Sequence, residues 1–216
     1  MRKAQGSRLM ASGLLVFATV LLGGATSAAA QTSSLAIRGA ATIGYERFSA
    51  SDTFKAVFDA SGGPVYGGGV EVIFRRHVFF RVDATRFKKT GERPFVFNGQ
   101  VFPLGIPLTI AVTPVVGSAG YRGEIARNLA WYAGAGAGSW GYSEKSDDPT
   151  ESVSFRKTGF VGLGGVEWRV HQWVGVGFEA QFAGVPNALG KGGASAEFNE
   201  KDLGGATAAV RIVIGR

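Results

Sequence analysis

The chain has 216 residues, no cysteine and only two histidines, His77 and His171. Without cysteine it can hold no disulfide, no zinc-thiolate site and no thiol nucleophile. Both histidines fall in predicted turns, so neither a His-rich metal site nor a Ser-His-Asp arrangement can be assembled from them. We therefore expect no catalytic residue, no cofactor and no metal site, and we interpret the protein as non-enzymatic.

Helical periodicity and a segment suited to a transmembrane helix are also lacking. After residue 30, the uncharged stretch long enough to span a bilayer is 94–121, and it contains four prolines that would interrupt a helix. Glycine is abundant instead, because 30 of the 34 glycines lie in residues 31–216, where they make up about 16% of the chain against an average of about 7%. This composition favours strands and turns.

Residues 1–30 have the pattern of a secretory signal peptide, which leaves 31–216 as the mature domain. The pattern consists of basic residues at Arg2, Lys3 and Arg8, an apolar run within 9–24, and small residues before a cleavage site between Ala30 and Gln31. An uncleaved membrane anchor is the less favoured alternative. Cleavage lowers the net charge from +7 to +4, which is too mild and too scattered to indicate a nucleic-acid partner.

Alternation of apolar and polar residues with a period of two predicts eight strands in the mature domain. They cover residues 35–48, 65–75, 78–89, 108–122, 129–142, 156–170, 173–184 and 203–215. Short connections alternate with long ones at 49–64, 90–107, 143–155 and 185–202. The order predicts an all-β, antiparallel, up-and-down meander that closes into an eight-stranded barrel.

Each predicted strand has one apolar face and one face of glycines, small polar residues and isolated charges. In the seventh strand Phe178 alternates with Glu179, for example. The fourth strand is less regular, because its alternation changes at Pro114 and a bulge there would flip its faces. A soluble lipocalin-like barrel would place the apolar face inside, whereas a transmembrane barrel would place it against lipid.

Charge balance favours the transmembrane arrangement. The polar faces carry five arginines and five acids, which suits a narrow lumen where unpaired charges are costly. The predicted lumen charges are Arg38, Glu46, Glu71, Arg81, Asp83, Arg122, Glu167, Arg169, Glu179 and Arg211. We expect these side chains to pair and to block the lumen.

Aromatic residues near both ends of the predicted strands indicate two girdles at the membrane interfaces. The side with short connections carries Tyr121, Trp131, Trp168 and Trp173, and the side with long connections carries Tyr45, Trp140 and Tyr142.

Four motifs resemble the small outer-membrane β-barrel family, the eight-stranded, opacity-antigen-like proteins with a porin-type fold. They are Ala119-Gly120-Tyr121-Arg122, the Tyr132–Gly136 segment, the Gly164–Arg169 segment and Asp202-Leu203-Gly204-Gly205. The resemblance implies an integral protein of the cell outer membrane, with membrane lipid and the barrel-assembly machinery as partners. Members of the family usually end in an aromatic residue, whereas this chain ends Ile214-Gly215-Arg216.

The leading functional hypothesis is a monomeric structural or surface-interaction protein whose lumen is blocked by ion pairs. A narrow channel for small or hydrophobic molecules is the first alternative, and a secreted lipocalin-like binding protein is the second. The sequence identifies no extracellular ligand.

The signal-peptide interpretation predicts that the exported protein is found in the outer-membrane fraction with Gln31 as its first residue. Intact-mass measurement of the fractionated protein checks this prediction. A chain that still carries Met1 in that fraction would contradict it.

Overall fold

A computed structural model of the chain describes residues 35–97, 100–146, 152–191 and 193–215. The predicted signal peptide and the cleavage site at Ala30 and Gln31 lie outside these residues. The elements in order are β1 (Leu35–Phe48), α1 (Ser51–Phe58), β2 (Gly62–Phe74), β3 (Val78–Phe97), β4 (Gln100–Ala126), β5 (Leu129–Ser146), β6 (Val153–His171), β7 (Val174–Gly184), α2 (Gly193–Glu197) and β8 (Gly205–Gly215).

The eight strands form one closed antiparallel barrel in which each strand pairs with the next along the chain and β8 pairs with β1. The closing register places Thr42 of β1 opposite Arg211 of β8. The predicted all-β, up-and-down barrel is therefore confirmed. No helix among the described residues is long and apolar enough to cross a membrane.

Short turns join the strands at one end of the barrel. Arg75 and Arg76, between β2 and β3, have φ angles of 48° and 66°, so this tight connection uses two consecutive left-handed residues. That conformation matches the right-handed twist of the paired strands. At the other end, the β1–β2 and β7–β8 connections are longer and contain the two helices, whereas β3 and β4 are joined as a hairpin.

The segment 90–107, predicted to be a loop, is mostly strand. β3 continues to Phe97 and β4 begins at Gln100, and Phe95 faces Phe102 across the two strands. Valine and phenylalanine favour extended backbone, and this preference extends the hairpin although the segment contains prolines. Pro94 lies opposite Pro103 beside a register shift, where the regular ladder is interrupted.

The strands expose their apolar faces on the outside of the barrel. Large exposed side chains on the outer wall include Ile43, Val70, Phe80, Val115, Phe160, Phe178, Phe182 and Ile212. The predicted reversal at Pro114 does not occur, because Val112 and Ser118 are both buried and the register with β3 and β5 does not shift there. The irregular alternation arises because Pro114 and Val116 add apolar residues to the inner face.

Phe178→Arg is expected to destabilise the barrel by about 2–4 kcal/mol, because it places a charge against lipid near the middle of β7. Urea unfolding of the protein in lipid vesicles measures the change. Phe178→Leu is the matched control, since it keeps the position apolar. Equal stability of the two variants would show that this face does not meet lipid.

Candidate functional site in the barrel lumen

A ring of four charged residues crosses the lumen. Arg81 of β3 contacts Asp83 through Nε at 2.8 Å and donates from Nη1 to Glu179 Oε2 of β7 at 2.6 Å. Arg211 of β8 approaches the same two acids, with Nη1 3.0 Å from Glu179 Oε2 and Nη2 3.2 Å from Asp83 Oδ1. Because β3 and β7 are on opposite sides of an eight-stranded barrel, the Arg81–Glu179 pair spans the interior.

A second group of four joins β1, β2, β4 and β6. Glu167 accepts two parallel bonds from Arg122, both at 2.8 Å, and a third from Arg38 Nη1 at 2.7 Å. Arg38 also pairs with Glu71 on the neighbouring strand. We call the eight residues of these two groups the ion-pair network.

The ion-pair network holds four positive and four negative charges, so its net charge is zero. Seven of its members are buried and Asp83 is half-buried. Charges removed from water in this way are tolerable only when each one has partners of opposite sign. The network therefore fills the half of the lumen nearer the short turns with neutralised side chains.

Inward-facing glycines make room for these side chains. A Cβ added at Gly175 would lie 3.0 Å from Glu167 Oε1, and one added at Gly165 would lie 2.6 Å from the Tyr132 hydroxyl oxygen. Larger residues at these positions would push into the groups that occupy the lumen. The glycines thus accommodate the filling and do not leave an open passage.

Two predicted lumen charges are not in the ion-pair network. Arg169 is exposed, and the prediction was wrong for this residue, because it lies two residues beyond Glu167 at the short-turn rim, where water can solvate the guanidinium. Glu46 is buried, but no ion pair joins it to another described residue. Glu46 lies near the end of β1 opposite to Arg38, away from the arginines of the ion-pair network.

An apolar cluster closes the end of the barrel with the long connections. In this cluster, named the apolar cap, helix α1 packs Phe54 against Phe48 of β1 and Phe87 of β3, with ring centroids 4.0 Å and 6.0 Å away. Its buried members are Phe48, Ala50, Phe54, Val57, Phe58, Val65, Phe87, Leu108, Ile110, Val112, Trp140, Tyr142, Val185, Ala188, Leu189 and Leu203.

Trp140 and Tyr142 therefore do not belong to a girdle, and this part of the prediction was wrong. Trp140 is 2% and Tyr142 3% exposed, since both lie an even number of positions from Tyr132 on β5 and therefore face inward as it does. The Tyr142 hydroxyl donates to Glu144, and its ring stacks on Phe155. The other predicted girdle residues, Tyr45, Tyr121, Trp131, Trp168 and Trp173, are exposed on the outer wall.

A carboxylate from the β7–β8 connection holds α1 in place. Glu200 accepts the backbone N–H groups of Asp52 and Thr53 at 3.0 Å and 2.7 Å, at the helix end where no side chain of α1 provides a cap. A negative charge is favoured at this end of a helix. Sequence reasoning missed this contact, because nothing in the local pattern joins residues about 150 positions apart.

The site offers little for catalysis. No group of three or more His, Asp or Glu side chains in the described parts of the chain could hold a metal ion. The carboxylates of the ion-pair network are occupied by arginines. The arrangement closes the lumen, with paired charges in one half of the barrel and packed aromatic side chains in the other.

An apolar outer wall around a polar, ion-paired interior defines an eight-stranded transmembrane barrel of the outer-membrane type. The structure is similar to the crystal structure of Neisserial surface protein A from Neisseria, with a TM-score of 0.52 and 14% identity over 84% of this chain and 97% of that one. At this identity the similarity concerns the fold alone.

Two further solved structures are similar at lower scores. The N-terminal β-barrel domain of Pseudomonas aeruginosa OprF gives a TM-score of 0.46 with 12% identity, over 83% of this chain and 97% of that one. Ail, the attachment invasion locus protein of Yersinia pestis, gives 0.42 with 13% identity, over 82% and 96%. No protein-family model and no curated protein matches the chain.

Arg211→Met is expected to destabilise the protein by about 3–5 kcal/mol, because it leaves Asp83 and Glu179 to share Arg81 inside the barrel. Arg169→Met, which removes the same charge at the exposed rim, should leave stability nearly unchanged. Urea titration of both variants in the same lipid measures the difference. Similar midpoints for the two variants would show that the network does not stabilise the barrel.

Proposed function

We propose that the protein is an integral outer-membrane barrel with a structural or surface-interaction role and a closed lumen. The observation that supports this most directly is the double closure of the interior, by the ion-pair network in one half and by the apolar cap in the other. A protein built in this way acts through its outer wall and its long connections.

The closed lumen argues against a channel. Conduction of ions or polar solutes needs a continuous path for water, whereas Arg81 and Glu179 meet in the middle of the barrel and Phe48, Phe54 and Phe87 pack across its mouth. Opening such a path would separate buried opposite charges, which is costly. The channel alternative is therefore the less favoured one.

The lipocalin-like alternative is also less favoured. Such a protein would line an internal cavity with its apolar face and expose charges to water. Here the side chains of Phe178 and Phe182 are 61% and 68% exposed on the outside, while Glu179 between them is 4% exposed. This is the distribution that a barrel in a lipid bilayer requires.

The proposal also includes an orientation and partners. In barrels of this type, short turns face the periplasm and longer connections face the exterior. The apolar cap and the extended β3–β4 hairpin would then face outward. Outer-membrane lipid surrounds the barrel in this proposal, the barrel-assembly machinery inserts it, and the protein acts as a non-enzymatic monomer.

In a planar bilayer the purified protein is expected to give no steady ion conductance, because both closures would have to open at once. Heat-modifiable migration in gels, measured on the same preparation, serves as the control that the barrel is folded. A stable single-channel conductance from protein that passes this control would overturn the closed-lumen proposal and favour the channel.

A further inference from the structure

The end of the β3–β4 hairpin exposes a cluster of large apolar side chains. This part, named the tip hairpin, comprises residues 94–97 of β3 and 100–106 of β4. Its exposed apolar residues are Phe95 (54%), Phe97 (58%), Val101 (41%), Phe102 (45%), Leu104 (49%) and Ile106 (37%). So much apolar surface on a short hairpin indicates a partner or a membrane.

The aromatic rings of the tip hairpin form one patch. Phe95 stacks on Phe97 with ring centroids 6.4 Å apart and lies 6.5 Å from Phe102 on the opposite strand. Gly105, with a φ angle of 67°, belongs to a bulge that places Leu104 and Ile106 opposite Arg93. All three rings remain about half exposed despite these contacts.

The tip hairpin continues β3 and β4 past the apolar cap, and one of its residues, Val96, is buried. Leu108 is the first β4 residue that packs in the apolar cap and the first that pairs with β5; in the described part of the chain, residues 100–103 and Pro107 pair with β3 alone. Six β3 residues, 92–97, lie opposite this part of β4, and at about 3.4 Å per residue they reach about 20 Å beyond Gly91, which pairs with Leu108.

A polar belt separates the tip hairpin from the apolar outer wall, so the exposed rings do not continue the lipid-facing band. The belt is mainly cationic, because its exposed charged residues are Arg86, Lys88 and Lys145, with Glu92 as the exposed acid. Lys89 is half-buried and is not part of the belt, since its ammonium donates to the carbonyl oxygen of Phe58 in the apolar cap. Lys88 and Lys145 lie on the strands either side of β4, opposite Ala111 and Thr109, and both are exposed.

We propose that the tip hairpin inserts into the surface of a second lipid bilayer that faces the long connections. The apolar rings enter the acyl region, and the cationic belt contacts the phosphates of the headgroups. An apolar tip above a basic belt is complementary to a bilayer, which has an apolar interior below an anionic surface. This inference rests on the proposed function and names the partner of that surface as a membrane.

Fluorescence quenching can locate the tip hairpin. The protein, folded in nanodiscs of ordinary lipid, is mixed with vesicles made of equal parts of phosphatidylcholine and phosphatidylglycerol with brominated acyl chains. A tryptophan introduced by Phe102→Trp should be quenched when the tip enters these vesicles. The native Trp131, Trp168 and Trp173 face the nanodisc lipid and Trp140 lies in the cap, so the unmodified protein measures any background.

Val153→Trp, on the neighbouring β5–β6 hairpin, is the matched control, because Val153 is 46% exposed but pairs with Glu144, well below the tip. It should show no quenching above background. The Phe95→Ser/Phe97→Ser double variant, measured with the Phe102→Trp reporter, should lower binding to vesicles by more than about tenfold through lost apolar burial. Lys88→Gln should lower binding about fivefold on the anionic vesicles and hardly at all on phosphatidylcholine alone.

Three results would overturn the inference. Vesicle binding that the double serine variant leaves intact would show that the tip is not the contact. Quenching by brominated nanodisc lipid without vesicles would show that the hairpin lies on its own membrane. Self-association that the serines abolish, without vesicle binding, would make the patch a contact between copies. Heat-modifiable migration and the absence of conductance test the proposed function separately, so its failure would not be mistaken for failure at the tip.

Discussion

Pairing of opposite charges across the lumen is the constraint on which the rest of this barrel depends. Glu179 and Glu167 each accept hydrogen bonds from two arginines on other strands. Some of these bonds cross the barrel interior, and others join neighbouring strands. The charges of the ion-pair network lie inside the barrel and neutralise one another there. The outer face of each strand carries none of them and can be apolar. The narrow interior then also requires glycines such as Gly175 beside the larger side chains.

The two halves of the barrel interior are held together by different kinds of interaction. Near the short turns, the side chains are held by ionic hydrogen bonds, which are directional and become costly when one partner is removed. Near the long connections they are held by the packing of aromatic rings around Phe54 and Phe87, which tolerates more variation in shape. Glu46 is buried on the inner face of β1, with the ring of Phe48 two residues further along.

Parity along each strand was enough to predict the barrel and most of the inward charges, because the side-chain period of a strand is two. It could not predict that Arg81 meets Glu179, since partners on opposite walls depend on the closure and stagger of the whole barrel. Arg169 has the inward parity but lies at the rim, where solvation replaces pairing. The odd or even position of a residue therefore predicts which face of the strand it lies on, but it does not predict whether the side chain is buried.

Two other differences between the prediction and the structure could have been anticipated from the sequence. Trp131 and Trp140 are nine positions apart, an odd number, so they cannot lie on the same face of β5, and only one of them could belong to a girdle. Asn98-Gly99, between Phe97 and Gln100, is a sequence pair favoured in two-residue hairpin connections, and it argues for strands on both sides. Proline and glycine elsewhere in 90–107 concealed this signal.

The contact between Glu200 and α1 has a consequence for the closure of the barrel. The helix follows the first strand, and its capping carboxylate precedes the last, so the two are separated by 148 positions along the chain. Pairing of β8 with β1 brings the two ends of this long segment together, so it lowers the loop-closure cost of the contact between Glu200 and α1. The capping of α1 is therefore coupled to the closure of the barrel at the β1–β8 seam.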